Sequence, residues 1–318
     1  MFGERIPFKQ SDLEAIKILN DFLPEHIFDA HAHLLDRENG GLEAYRKMYG
    51  RMLANPKTLY MNMIPYPEKS MADLSNGKFY ETDLFIIKQL EKDRENVGEL
   101  FVHPEETYDD LKKRLVHPRI RGLKCYHLFA KREETGNCDI GEYLPEHVWE
   151  LANERKLCLT IHLVKDKALA DEENLNYICR MANRYPDAIL ILAHAARSFA
   201  SWTGIESVEK VAHLENVWFD FSAVCESPAM FQILKKVGVS RCMWGSDYPI
   251  TLERGKVISL GNGFYWLYQK EIESCSSWLI GIENLMAVRQ ASIMAELTRS
   301  EIEDLFYHNA VRLFKIGR

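Results

Sequence analysis

Eight short runs of β-type character, separated by longer segments of helical periodicity, constrain this chain more than any other feature. They fall at 27–33 (IFDAHAH), 57–65 (KTLYMNMIP), 99–104 (ELFVHP), 120–127 (IRGLKCYH), 157–163 (LCLTIHL), 188–195 (AILILAHA), 217–223 (VWFDFSA) and 242–247 (CMWGSD). Strands alternating with helices mark βαβ units and a parallel sheet, and eight such strands close a barrel. The expected fold is therefore α/β, a (β/α)8 TIM barrel. Between the strands, 82–93, 142–156 and 228–238 carry apolar residues three and four apart, and the last ends on Gly238, a residue suited to follow a helix. A leading N-terminal helix over 12–22, behind a capping box Ser11-x-x-Glu14, is expected to cover the bottom of the barrel. The chain after the eighth run is longer than one closing helix needs and reads as a helical C-terminal extension. Its aromatic patch, 264–268 (FYWLY), reads as core or subunit interface ahead of a substrate lid.

With 47% hydrophobic residues the chain can build a large core, and no Pro/Gly/Ser linker or repeat divides it, so 1–318 is expected to form a single barrel domain. The net charge of −7, without any lysine or arginine cluster, argues against nucleic acid as a partner. The first nineteen residues carry charges throughout and lack the apolar stretch of a signal peptide or membrane span, so a cytoplasmic location away from membranes is expected. Seven cysteines stand singly with no CxxC pair, which suggests reduced thiols and neither a zinc knuckle nor a disulfide framework.

Strand alternation puts Asp29, His31 and His33 on one face, with two imidazoles converging near a strand's carboxyl end. His162, His194 and Asp247 end the fifth, sixth and eighth runs. In a barrel all these ends meet at one rim, where active sites are built. Three or more nitrogen and oxygen ligands with one open position form a catalytic metal site, in contrast to a closed structural one.

HAH at 31–33, GLK at 122–124, TIH at 160–162, LAH at 192–194, WGSDYP at 244–249 and NAVRLF at 309–314 together resemble the amidohydrolase superfamily, specifically its amidohydrolase-2 branch. The resemblance spans 29–314. It implies a metal-dependent enzyme in which His31, His33, His162 and Asp247 hold one divalent ion, zinc ahead of manganese, and Asp247 also accepts a proton. His194 would act as base or electrophile, or as ligand to a second ion. That second ion would require Lys124, at the strand-four position, to be carboxylated; an unmodified lysine that binds substrate or balances charge is the expectation. Tyr126 shares the face of Lys124, and Arg197 could clamp a substrate carboxylate. Ala196 stands where the family often has glycine. The implied reaction is hydrolysis of an amide, lactone or ester of a small anionic molecule. The alternative, from the same branch and the same ligands, is non-oxidative decarboxylation of an aromatic or unsaturated carboxylic acid. A small-molecule substrate is the expected partner, and a homo-oligomer is compatible with the sequence.

Overall fold

The computed structural model describes residues 8–35, 41–66, 79–272 and 274–315. Eight parallel strands pair in chain order: β1 His26–Leu34, β2 Thr58–Pro65, β3 Val97–Val102, β4 Ile120–Cys125, β5 Cys158–Ile161, β6 Ile189–Leu192, β7 Val217–Asp220 and β8 Cys242–Met243. Helices alternate with them, giving the expected α/β barrel. The ladder between β8 and β1 is replaced by three backbone hydrogen bonds, from Ala30 N to Trp244 O (3.1 Å), Asp247 N to His31 O (2.7 Å) and His33 N to Tyr248 O (2.7 Å). These bonds join the seam of a nearly closed barrel and hold the 244–248 segment against β1.

The barrel interior is layered. At the bottom, Phe28, Val97, Cys158, Ile191, Trp218 and Met243 form an apolar plug, closed from below by Ala310 and Phe314 of the terminal helix Asn309–Phe314. Phe28 and Phe314 stack at 5.7 Å. The terminal NAVRLF motif is thus structural: Asn309 Nδ2 also donates to Val239 O (2.8 Å) and Cys242 O (2.9 Å) and fixes the start of β8. Above the plug lies a polar layer, in which Asn62 and Thr160 both donate to Glu99 Oε1 at 2.7 Å. The rim holds the histidines. Outward-facing residues such as Leu34, Leu100, Leu123 and Leu159 pack in the main core beneath the helices.

β1 departs from simple alternation. Its pairing with β2 shifts between Asp29 and Ala32, so an irregularity of the bulge type reverses the sense of inside and outside. Phe28 and Ala30 point into the barrel below the shift, while His31 and His33 point in above it. Asp29 does not share their face. Its carboxylate accepts from Tyr45 Oη (2.6 Å), His31 N (3.1 Å) and Ser246 N (2.8 Å), taking the donors that the irregular strand and the seam expose. Burial raises its pKa to about 6 against the lowering effect of the Ser246 and Tyr45 bonds.

The helices fall near their predicted places, with local corrections. The leading helix runs Gln10–Asn20 and is capped at Lys9, whose backbone N–H donates to Asp12 Oδ2 (2.7 Å); Ser11 Oγ has no partner, so the Ser11/Glu14 box does not form. The helix predicted over 142–156 is split into Ile140–Tyr143 and Glu146–Arg155, because Pro145 cannot continue a helix from the turn before it. Ser227–Val237 ends at Gly238 with φ +83°, as a terminating glycine should. The C-terminal extension contains helices, among them Ile280–Met294, but begins with an antiparallel hairpin, β9 Gly255–Leu260 and β10 Gly263–Tyr268, which carries the aromatic patch. Phe264 and Trp266 of β10 pack on Phe199, at 5.0 and 5.5 Å, and Phe199 in turn stacks on His194. All seven cysteines are free thiols. Among the described residues no helix is long and apolar enough to cross a membrane.

Candidate metal centre

His31 and His33 project from the upper end of β1 with their Nε2 atoms 3.2 Å apart. Each ring is oriented by its other nitrogen: His31 Nδ1 bonds Asp220 Oδ2 and His33 Nδ1 bonds Pro65 O, both at 2.9 Å. A carbonyl oxygen and a carboxylate can only accept, so both Nδ1 atoms carry the proton and both Nε2 atoms present lone pairs. Burial drives the His33 pKa well below its ordinary value, with His31 and Lys124 adding to the effect. Asp247 Oδ1 completes a triangle, 3.7 Å from His31 Nε2 and 3.6 Å from His33 Nε2.

Three electron-rich atoms facing one point repel one another unless a cation lies between them. Two nitrogens sharing a tetrahedral zinc at about 2.0–2.1 Å would stand about 3.3 Å apart, close to the separation found here. The donor set therefore fits a divalent ion of the zinc type. Lys124 Nζ, buried in β4, already answers part of that need by donating to His31 Nε2 at 3.2 Å.

Asp247 aims at the triangle from a left-handed backbone, φ +54°. Gly245, two residues before it, is required by space: a Cβ there would lie 2.7 Å from His31 Cβ and 3.0 Å from His31 N.

His194 reaches the same rim from a run of four left-handed residues, His194 to Arg197, with φ between 52° and 60°. Its Nδ1 bonds Ser222 O (3.1 Å) and Ser222 Oγ (2.9 Å), which leaves Nε2 for the site. Burial takes its pKa down to about 4, with the Asp247 charge opposing and His31 reinforcing the shift. Asp220, at the end of β7, also accepts from the backbone nitrogens of His194 and Ser222, both at 3.1 Å. Burial opposes its ionisation, but His31, His194 and the Ser222 hydroxyl together outweigh that effect and keep it a carboxylate. A second donor group, His31, His194 and Asp220, is thereby already satisfied by internal hydrogen bonds.

His162, immediately after β5, lies on the same rim but belongs to neither donor group. Its ring is 4.9 Å from that of His194 and 6.0 Å from Tyr126. Tyr126 stands over the site with Lys124 Nζ 5.8 Å from its ring. Arg197 Nη1 donates to Lys165 O (2.8 Å), and its guanidinium lies 5.0 Å from the Phe264 ring.

Sequence reasoning missed Asp220, Ser222, Glu99 and His127, whose ring is 5.6 Å from His162. Asp220 and Ser222 were detectable, since they follow Trp218 at alternate positions of the seventh run. Glu99 was marked only by being a charge in an apolar strand.

Ala196 is buried with φ +60°, in a conformation where L-residues are disfavoured by about 1–2 kcal/mol. Replacing it by glycine relieves that strain but loses about 0.8 kcal/mol of methyl burial and adds unfolded-state entropy. The opposing effects nearly cancel, so Ala196→Gly is expected to leave stability within about 0.5 kcal/mol of the parent. Ala152→Gly, inside the helix Glu146–Arg155, should lose about 1 kcal/mol or more. Urea unfolding of the pair checks this, and equal losses would contradict the strain argument.

No curated protein matches the chain significantly. Solved structures with the same fold include an amidohydrolase from Burkholderia multivorans with bound zinc (13% identity, TM-score 0.59, covering 92% of this chain and 99% of that one). A putative 2-pyrone-4,6-dicarboxylic acid hydrolase from Pseudomonas putida is 16% identical, with TM-score 0.55 and coverage of 92% and 98%. A 5-carboxyvanillate decarboxylase from Novosphingobium aromaticivorans, complexed with manganese and 4-hydroxy-3-methoxy-5-nitrobenzoic acid, is 13% identical, with TM-score 0.52 and coverage of 85% and 80%. The amidohydrolase-2 family model matches residues 28–316, from β1 to just past the terminal helix, and with that span the chain belongs to the amidohydrolase-2 family.

Proposed function

We propose that this protein hydrolyses an amide, lactone or ester bond in a small carboxylate-bearing molecule, using one divalent ion, zinc ahead of manganese, held by His31, His33, His162 and Asp247. The observation that carries the reading is the facing of two unprotonated Nε2 atoms and a carboxylate oxygen across less than 4 Å. His162, whose ring lies 4.9 Å from that of His194 on the same rim, is proposed to complete the set. When bound, such an ion acts as a Lewis acid and makes water a nucleophile near neutral pH.

The chain's own residues do the rest. Asp247 Oδ receives the proton of the attacking water and can return it to the leaving group. His194, with Nδ1 tied to Ser222 O, offers Nε2 as an acceptor. Tyr126 binds the anionic end of the substrate, and Lys124 balances the charge of the acids beside it. Arg197, whose charge is felt at His127 and His162, adds positive potential to the mouth of the site.

Lys124 is proposed to be unmodified, beside a single ion. A carbamate there would add a negative charge next to Glu99, Asp220 and Asp247, the three acids that act most strongly on Lys124.

Solvent labelling tests the reaction class. A panel of carboxylate-bearing lactones, esters and amides, together with hydroxybenzoic acids, is incubated with the zinc-loaded protein in H₂¹⁸O. Product carrying ¹⁸O is expected. Carbon dioxide released without label in the aromatic product would overturn hydrolysis in favour of decarboxylation.

A further inference from the structure

One buried group below the rim, Glu99, takes no part in the proposed reaction. Glu99 is fully buried, and its Oε1 accepts from Asn62 Nδ2 and Thr160 Oγ1, yet its Oε2 has no hydrogen-bond partner. A buried acceptor left alone is unfavourable by about 1–3 kcal/mol, more for a charged one. The site is built to hold this carboxylate, since a Cβ on Gly122 would lie 2.9–3.0 Å from Glu99 Cγ, Cδ and Oε1. Lys124, two residues further along β4, is 1% exposed, and Glu99 is its strongest electrostatic partner. Nevertheless its Nζ donates to His31 Nε2, a lone pair that a metal held by His31 also needs.

We infer that Lys124 is a placeholder that exchanges partners with the metal: its Nζ occupies the His31 Nε2 lone pair until an ion takes it, then swings to Glu99 Oε2, which makes Glu99 a positioning residue for metal loading. The inference rests on the proposed His31 metal site and adds to it. Glu99 supplies the acceptor that keeps a displaced cation from being buried unpaired. Lys124 competes with the metal for one atom, so it sets how tightly the ion is held. Lys124 also keeps the two facing imidazoles from repelling each other while the site is being filled.

Zinc affinity, measured by competition with a chromophoric chelator, tests the exchange through a double-mutant cycle. Lys124→Met removes the competitor and should tighten zinc binding about tenfold, with occupancy near one per chain. Glu99→Gln strands the displaced lysine and should weaken binding about tenfold. In the Lys124→Met background an unpaired buried Glu99 takes up a proton, so adding Glu99→Gln should change affinity less than about threefold. Equal effects of Glu99→Gln in both backgrounds would overturn the inference, as would weaker zinc binding in Lys124→Met. If Glu99→Gln fails to fold, crystal structures of the parent protein decide the matter. Nζ should lie on Glu99 Oε2 with zinc and on His31 Nε2 after chelator treatment, and an unmoved or carboxylated lysine would sink the exchange. A parent protein that binds no zinc would instead refute the metal site itself.

Discussion

Asp247→Asn is expected to lower turnover at least about a hundredfold, the lower range for losing a general acid or base, while leaving the barrel folded. The backbone of residue 247 is held independently of its carboxylate, since its N–H donates to His31 O at 2.7 Å across the seam. Asp247 Oδ1 stands 3.6–3.7 Å from the two Nε2 atoms and serves the site rather than the fold. An asparagine keeps an oxygen that can face the ion but cannot take a proton from water. The best-turned-over member of the lactone, ester and amide panel provides the rate, with zinc content and circular dichroism as controls. Normal turnover with normal zinc content would remove Asp247 from the proton transfer. Loss of zinc together with activity would assign it to binding alone.

Gly245→Ala should have the second large effect, on a residue that is not itself a ligand. The added methyl would meet His31 Cβ at 2.7 Å and the His31 backbone nitrogen at 3.0 Å, and neither is the free end of a flexible side chain. Relief can come only by opening the seam or displacing His31, and the seam is fixed by Ser246 N on Asp29 Oδ1 (2.8 Å) and Asp247 N on His31 O (2.7 Å). Overpacking of this kind lowers stability by about 1–3 kcal/mol. A displaced His31 also loses its orientation by Asp220, the kind of supporting contact whose loss weakens metal binding about 10–100-fold. Urea unfolding and zinc competition measure the two effects. Zinc affinity equal to that of the parent would show that the glycine serves the backbone only.

The sequence by itself determined the number and order of the strands, because burial on both faces of a parallel strand writes a short apolar run that can be counted. It also determined which strand ends carry histidine and aspartate, since those polar residues interrupt or terminate such runs. Alternation rightly put Lys124 and Tyr126 together, because β4 pairs regularly with β5 up to Cys125 and Tyr126 continues it in extended backbone. The same rule failed on Asp29, because the register shift in β1 reverses its facing and no local pattern announces a bulge. Asp29 therefore fastens the seam, where the sequence placed it beside the metal. The hairpin under the aromatic patch was hidden for a similar reason: Phe264 and Trp266 alternate as strand residues do, but their partner surface on Phe199 lies over sixty residues away.

Only the tertiary structure decided what orients the histidines. Asp220 is 189 residues from His31, and its role appears only when closure of the seam brings β1 and β7 to either side of β8. Glu99 is the extreme case. Its strand neighbours describe an ordinary apolar run, and the reason for a charge there lies in Asn62, Thr160 and Lys124 on three other strands. A polar residue in an apolar run shows that some partner must exist, because burying it alone is too unfavourable. Which partner it is depends on distances that chain closure sets and sequence spacing does not.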